Sequence, residues 1–148
     1  MFRTVLVPVD FSPPSLQAVR HAGEVVRAVG GWLNLLHVLE GGDPDPTRAE
    51  LARARLLELA VFSRRAPKLI LEHLGEESVA EVIVRVARRE GADLMILGPH
   101  GGLGLSEARL GRVVQRILLV SHIPVQLVPE RLEGNSSVGS WSRVVSKD

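Results

Sequence analysis

Thr4-Val5-Leu6-Val7-Pro8-Val9-Asp10-Phe11-Ser12-Pro13 is the stretch that decides the fold. Its first four residues form an uninterrupted apolar run rich in β-branched side chains, which suits a strand covered on both faces, as in a parallel sheet. Ser12 then stands where a hydroxyl can cap a helix, and Pro13 takes the first helical position, where a missing N–H costs nothing. Leu16, Val19, Ala22, Val26 and Val29 follow at helical spacing until Gly30-Gly31 stops them. A strand, a sharp turn and an amphipathic helix are therefore expected in the first thirty residues.

The same unit recurs along the chain. Leu33–Val38 reads as a second strand, and Gly41-Gly42-Asp43-Pro44-Asp45-Pro46 is a loop that no regular element could absorb. Thr47 with Glu50 forms a capping-box pattern, so a helix is expected from Thr47, turning Leu51, Ala54, Leu57 and Val61 inward until Arg64-Arg65-Ala66-Pro67. Lys68–His73 mixes charge with apolar residues as an edge strand does. Ser78 and Glu81 repeat the capping box ahead of Val79, Val82, Ile83, Val86 and Ala87, and Gly91 closes that helix. Asp93–Leu97 is the fourth strand. A glycine-rich turn from Gly98 to Gly104 leads to a helix carrying Leu110, Val113, Val114, Ile117, Leu118 and Val120, and Pro124–Pro129 closes as the fifth strand. Strands alternating with helices over this length predict a three-layer, Rossmann-like α/β domain with a parallel sheet and helices on both faces.

Composition agrees and excludes much else. The 148 residues are one domain's worth, able to bury about 68–70% of the surface of the unfolded chain. A 45% hydrophobic and 24% charged composition is that of a globular chain with a packed core. With no cysteine there is no disulfide, thiol nucleophile or cysteine-based metal site. A net charge of +1 offers no broad field for nucleic acid or anionic membrane, and because Lys68 and Lys147 are the only lysines, any basic surface is local and made of arginine. No apolar run approaches the ~18 residues of a membrane span, and Met1–Asp10 is too short and too soon interrupted to be a signal segment, so a cytoplasmic location is expected. Residues 1–130 are expected to form the domain. From 131 to 148 the polar run Gly134–Ser140 has too little apolar surface to offset its ordering entropy, which predicts a flexible tail whose apolar island is Trp141, Val144 and Val145.

In an open parallel sheet, ligands bind beyond the carboxyl ends of the strands where the winding reverses. Two loops there carry chemistry. Gly98-Pro99-His100-Gly101-Gly102-Leu103-Gly104 lets backbone N–H groups approach an anion just ahead of a helix N-terminus, which suits phosphate. Pro8-Val9-Asp10-Phe11-Ser12 offers a carboxylate, an acceptor for ribose hydroxyls or an adenine amino group. Together they describe a nucleotide, although a tight turn needs glycine with or without a ligand. Neither the G-x-x-x-x-G-K-[S/T] phosphate loop nor the G-x-G-x-x-G fingerprint occurs.

The spacing that does occur is Gly98-x-x-Gly101, nine residues, then Gly111. With Val7-Pro8-Val9-Asp10-Phe11-Ser12, Leu35-Leu36-His37-Val38, Ile96-Leu97-Gly98-Pro99-His100-Gly101 and Pro124–Val128, it resembles the universal stress protein family in register over about residues 2–129. The resemblance implies a sheet of order 3-2-1-4-5, a homodimer through the last strand near Val125–Val128, and a family divided into ATP binders and non-binders. Carried over position by position, Asp10 and Val38 hold the adenosine end with Pro8 shaping the loop, and Leu97 and Gly98 wall the ribose and first phosphate. Gly101 and Gly111 turn amides to the phosphates, and Val113 donates from the helix start. Arg112 stands where binders of the family carry Ser or Thr. Its guanidinium could pair with phosphate bidentately or fill the space that a hydroxyl leaves open.

Other candidates carry less. His100 could donate to phosphate or support its turn. Arg109, Arg112 and Arg116 would share a helix face if the helix began before Leu110. His37 reads as a satisfied sheet residue, Ser12 as a cap rather than a nucleophile, and His21, His73 and His122 lack metal spacing, so no metal site is expected beyond Mg2+ arriving with a nucleotide. The expectation is a regulatory module for ATP, AMP or ADP, with at most slow hydrolysis and no dedicated catalytic residue. The alternative is a dimeric interaction scaffold of the same family that binds no nucleotide.

Overall fold

A computed structural model describes residues 3–41, 45–99 and 111–129. His100, Gly101, Arg109 and the tail with Trp141 lie outside the described residues. In chain order the elements are β1 (Thr4–Pro8), α1 (Pro13–Val29), β2 (Trp32–Leu39), α2 (Pro46–Glu58), a 3₁₀ turn (Leu59–Phe62), β3 (Lys68–His73), α3 (Val79–Arg89), β4 (Leu94–Leu97), α4 (Arg112–Val120) and β5 (Val125–Leu127). The sheet is five-stranded with order β3-β2-β1-β4-β5, and each recorded pair is parallel.

β1 is covered on both faces, as its unbroken apolar run requires. Val5 and Val7 pack with Ala18, Val19 and Ala22 of α1 and Leu56 of α2, while Leu6 packs with Val82, Ile83 and Val86 of α3 and Ile117 of α4. The two-residue side-chain period sends alternate residues of one strand into two cores. Val5, Leu6 and Val7 have no exposed surface.

Capping chemistry sets the helix starts. Ser12 caps α1, its side chain accepting from the Ser15 N–H, and at α3 the Ser78 and Glu81 side chains each accept from the other residue's N–H, completing the capping box. At α2 the expectation fails. The cap is Asp45, whose Oδ1 accepts from the Thr47 N–H at 2.9 Å, and Pro46 opens the helix, so Thr47 lies inside it. Proline at the first helical position was the stronger start signal.

The buried face of α2 is also not the expected one. Ala52 and Leu56 face the core, whereas Leu51 and Leu57 are each 61% exposed, Val61 is 78% exposed and Ala54 is exposed. α4 departs in the same way. Val114 and Ile117 are buried, but Val113 is 38% and Leu118 44% exposed, and the helix starts at Arg112 behind the cap Gly111, after Leu110 rather than before it. The condition for an Arg109–Arg112–Arg116 face is therefore not met.

Candidate functional site

β1 pairs with β2 on one side and β4 on the other, so the winding reverses between β1 and β4, and their carboxyl ends open one cleft. The cleft measures about 380 Å³, within the range of small-molecule sites. Pro8 and Asp10 enter it from the end of β1 and the turn after it, Leu36 and Val38 from β2 with Glu40 just beyond, Leu97 from β4 with Gly98 just beyond, and Gly111, Arg112 and Val113 from the start of α4. Val79 and Ile83 of α3 with Val114 and Ile117 of α4 give it an apolar wall. Eight positions singled out in the sequence, Pro8, Asp10, Val38, Leu97, Gly98, Gly111, Arg112 and Val113, thus line one space. Arg116 does not line it, and His100 and Gly101 lie outside the described residues.

The turn after β1 is held from several sides. Oδ1 of Asp10 accepts from the Ser12 backbone N–H at 2.9 Å and from the Ser12 hydroxyl, while Oδ2 has no protein partner among the described residues. Phe11 adopts φ +64°, the left-handed region that a bulky L-residue rarely takes. Its ring lies 4.7 Å from the His37 ring, and the Arg55 guanidinium stacks over it at 4.0 Å. His37 Nδ1 meets the Val9 carbonyl at 2.7 Å, and since a carbonyl only accepts, that nitrogen carries the proton. His37 is the satisfied sheet residue expected of it.

The start of α4 differs from the other helix starts. α1, α2 and α3 close their first N–H groups with Ser12, Asp45 and Ser78, whereas Gly111 makes no side-chain cap bond. The first intrahelical bond is Gln115 N–H to Gly111 O, so the amides of Arg112, Val113 and Val114 precede it. Arg112 is exposed at the rim. The arrangement sets a carboxylate acceptor against a cluster of donors with partial positive charge, with apolar surface between them.

Glu40, Val79 and Ile83 also line the cleft without belonging to any of the motifs quoted above. The two apolar residues carry a usable signal, because α3 begins where a β-strand has just ended, which puts its first turn at the ligand end of the sheet. Among the described residues no group of three His, Asp or Glu side chains could hold a metal ion, and no helix is long and apolar enough to cross a membrane.

Comparison with known proteins gives a consistent picture. Residues 1–129 match the model of the universal stress protein family. Universal stress protein Sll1654 of Synechocystis sp. is 32% identical over 139 residues, covering 87% of this chain and 87% of that protein. The crystal structure of a universal stress protein in complex with cAMP matches with a TM-score of 0.67 at 23% identity, covering 87% of this chain and 98% of that one. A universal stress protein from Archaeoglobus fulgidus in complex with dAMP matches with a TM-score of 0.64 at 21% identity over 86% and 97% of the two chains.

Proposed function

The chain belongs to the universal stress protein family, and from that premise we propose that the cleft between β1 and β4 binds an adenine nucleotide, ATP first among them. One observation carries this reading: Asp10, with Oδ2 free among the described residues, and the side-chain-uncapped start of α4 line the same cleft. A carboxylate accepts from ribose hydroxyls or an adenine amino group, and open backbone amides receive phosphate. The apolar surface of Val38, Val79, Ile83 and Leu97 suits a flat base between them. Solved members of the fold described with cAMP and with dAMP support the adenine class. The remaining positions of the same proposal are Pro8 in the adenosine loop, Gly98 at the ribose, and His100, Gly101, Gly111, Arg112 and Val113 at the phosphates. Mg2+ would come with the triphosphate, bound mainly by phosphate oxygens and water.

The role is regulatory, in the cytoplasm and in the stress response that the family name denotes. Occupancy of the cleft alters a surface rather than driving turnover. A homodimer through β5 belongs to the same proposal, since Val125–Leu127 pairs with β4 along only one edge.

Calorimetric titration of the full chain with ATP and with AMP tests the reading. Saturable micromolar binding in the parent that is lost in Asp10→Asn is the expected result. An absence of heat at millimolar nucleotide would overturn it and leave the family's scaffold role.

A further inference from the structure

At the opposite end of the sheet, the turn that leaves α1 and the segment after the 3₁₀ turn enclose a second cavity of about 280 Å³. Gly31 borders it immediately before the first residue of β2, so it lies at the amino ends of the strands, away from the nucleotide cleft. Arg27, Arg64 and Arg65 line it. Among the described residues none of the three pairs with a carboxylate, and the ion pairs there all involve Lys68, Arg85 or Arg89 on β3 and α3. In a chain of net charge +1, three arginines lining one hollow are a local concentration of positive charge.

Part of the cavity wall is held by contacts of its own. The Arg65 guanidinium stacks over the Trp32 ring at 4.3 Å, and its Nη1 donates to the Gly30 and Gly31 carbonyls at 3.4 and 3.3 Å. The Ser63 hydroxyl donates to the Arg65 carbonyl at 2.6 Å and tightens the turn that presents Arg64. Arg65 thereby brings a positive charge beside the carboxyl end of α1, opposing the partial negative charge there. The Arg27 and Arg64 side chains make no hydrogen bond among the described residues, which leaves their guanidinium donors open to a guest.

We propose that this cavity is a second ligand site, for a compact phosphate-class anion carrying at least two negative charges, with Arg27 and Arg64 as its ligands and Arg65 as its fixed wall. Guanidinium forks match phosphate oxygens bidentately. The volume admits a diphosphate or a small phosphate ester. Neither the family match nor the nucleotide cleft accounts for these residues.

Calorimetric titration of the full chain with sodium pyrophosphate at fixed ionic strength tests the proposal, alongside the Arg27→Gln/Arg64→Gln double variant. Both side chains are exposed and make no hydrogen bond or ion pair with the described residues, so the fold should survive their replacement. The expected result is saturable binding in the parent, weakened roughly tenfold or more in the double variant, with ATP binding by the two proteins equal. Three results would overturn it: no saturable binding to the parent, equal pyrophosphate affinity in both, or a parallel loss of ATP binding, which would assign the signal to the nucleotide cleft. Failure of ATP to bind at all, with pyrophosphate binding lost only in the double variant, would sink the nucleotide reading and leave this one standing.

Discussion

A Cβ placed on Gly98 would sit 2.8 Å from the carbonyl oxygen of Pro14, so the end of β4 and the first turn of α1 touch through their backbones. Glycine is needed at this position for packing, whatever it also does for a ligand. Gly98→Ala forces that contact apart and is expected to cost about 1–3 kcal/mol, the range of an overpacked interior. Urea unfolding checks this, with the midpoint lowered and the slope unchanged. A Gly98→Ala protein as stable as the parent would show that the two segments are not in contact.

Phe11 offers a second, sharper comparison because two opposed effects meet at one residue. Its φ of +64° costs about 1–2 kcal/mol for an L-residue, while its ring stacks against His37 and under Arg55. Phe11→Ala discards the stacking and keeps the strain, whereas Phe11→Gly discards both. The glycine variant is therefore expected to be more stable than the alanine variant by about 1 kcal/mol, with both less stable than the parent. Thermal unfolding of the pair reads the difference, and alanine above glycine would contradict the left-handed turn.

Arg112 decides between the two roles open to the family. Its side chain is exposed at the rim of a cleft that keeps about 380 Å³, so it has room to meet phosphate from the edge. Arg112→Ser is expected to weaken ATP binding about tenfold, as loss of a charge-assisted contact does, and to make binding less sensitive to salt. Calorimetry at two ionic strengths measures both. Binding that improves on the change to serine would mean that arginine obstructs the site and that the parent acts as a scaffold.

Most of the architecture was legible because few signals competed. β3 runs from Lys68 to His73 as expected, and Ser12 and Ser78 cap the helices assigned to them. α2 was misphased for a physical reason: Leu51, Ala54, Leu57 and Val61 form one apolar stripe, and Ala52, Leu56 and Leu59 form another. Only the second meets the sheet, and periodicity alone does not choose between two such stripes. The site was legible at its loops, where Asp10 and the glycines fall together at the carboxyl ends of β1 and β4, although Gly98 also serves packing and Asp10 also holds its own turn. Val79 and Ile83 look like any core residue by type, and their only sequence signal is their place at the start of a helix that follows a strand.

Acid should weaken the contact between β3 and α3 first. Glu90 accepts from Lys68 Nζ at 2.7 Å and from Arg89 Nε at 3.1 Å, and these bonds, Lys68 foremost, hold its carboxyl below the ordinary value of 4.5 despite the opposing effect of burial. Glu81 is lowered as well, first by the Ser78 backbone N–H and then by its hydroxyl. A carboxyl with a depressed folded-state pKa binds more protons when unfolded. Its stabilisation is therefore present above about pH 4.5 and is lost as the pH falls below that value toward the folded pKa. Lys68 is 61% exposed, which screens the pair and keeps its contribution under about 1 kcal/mol. Glu90→Gln should accordingly lower stability modestly at pH 7 and flatten the decline between pH 5 and 3, as read from urea midpoints across that range. A variant that tracks the parent in parallel down to pH 3 would show that Glu90 carries none of the acid sensitivity.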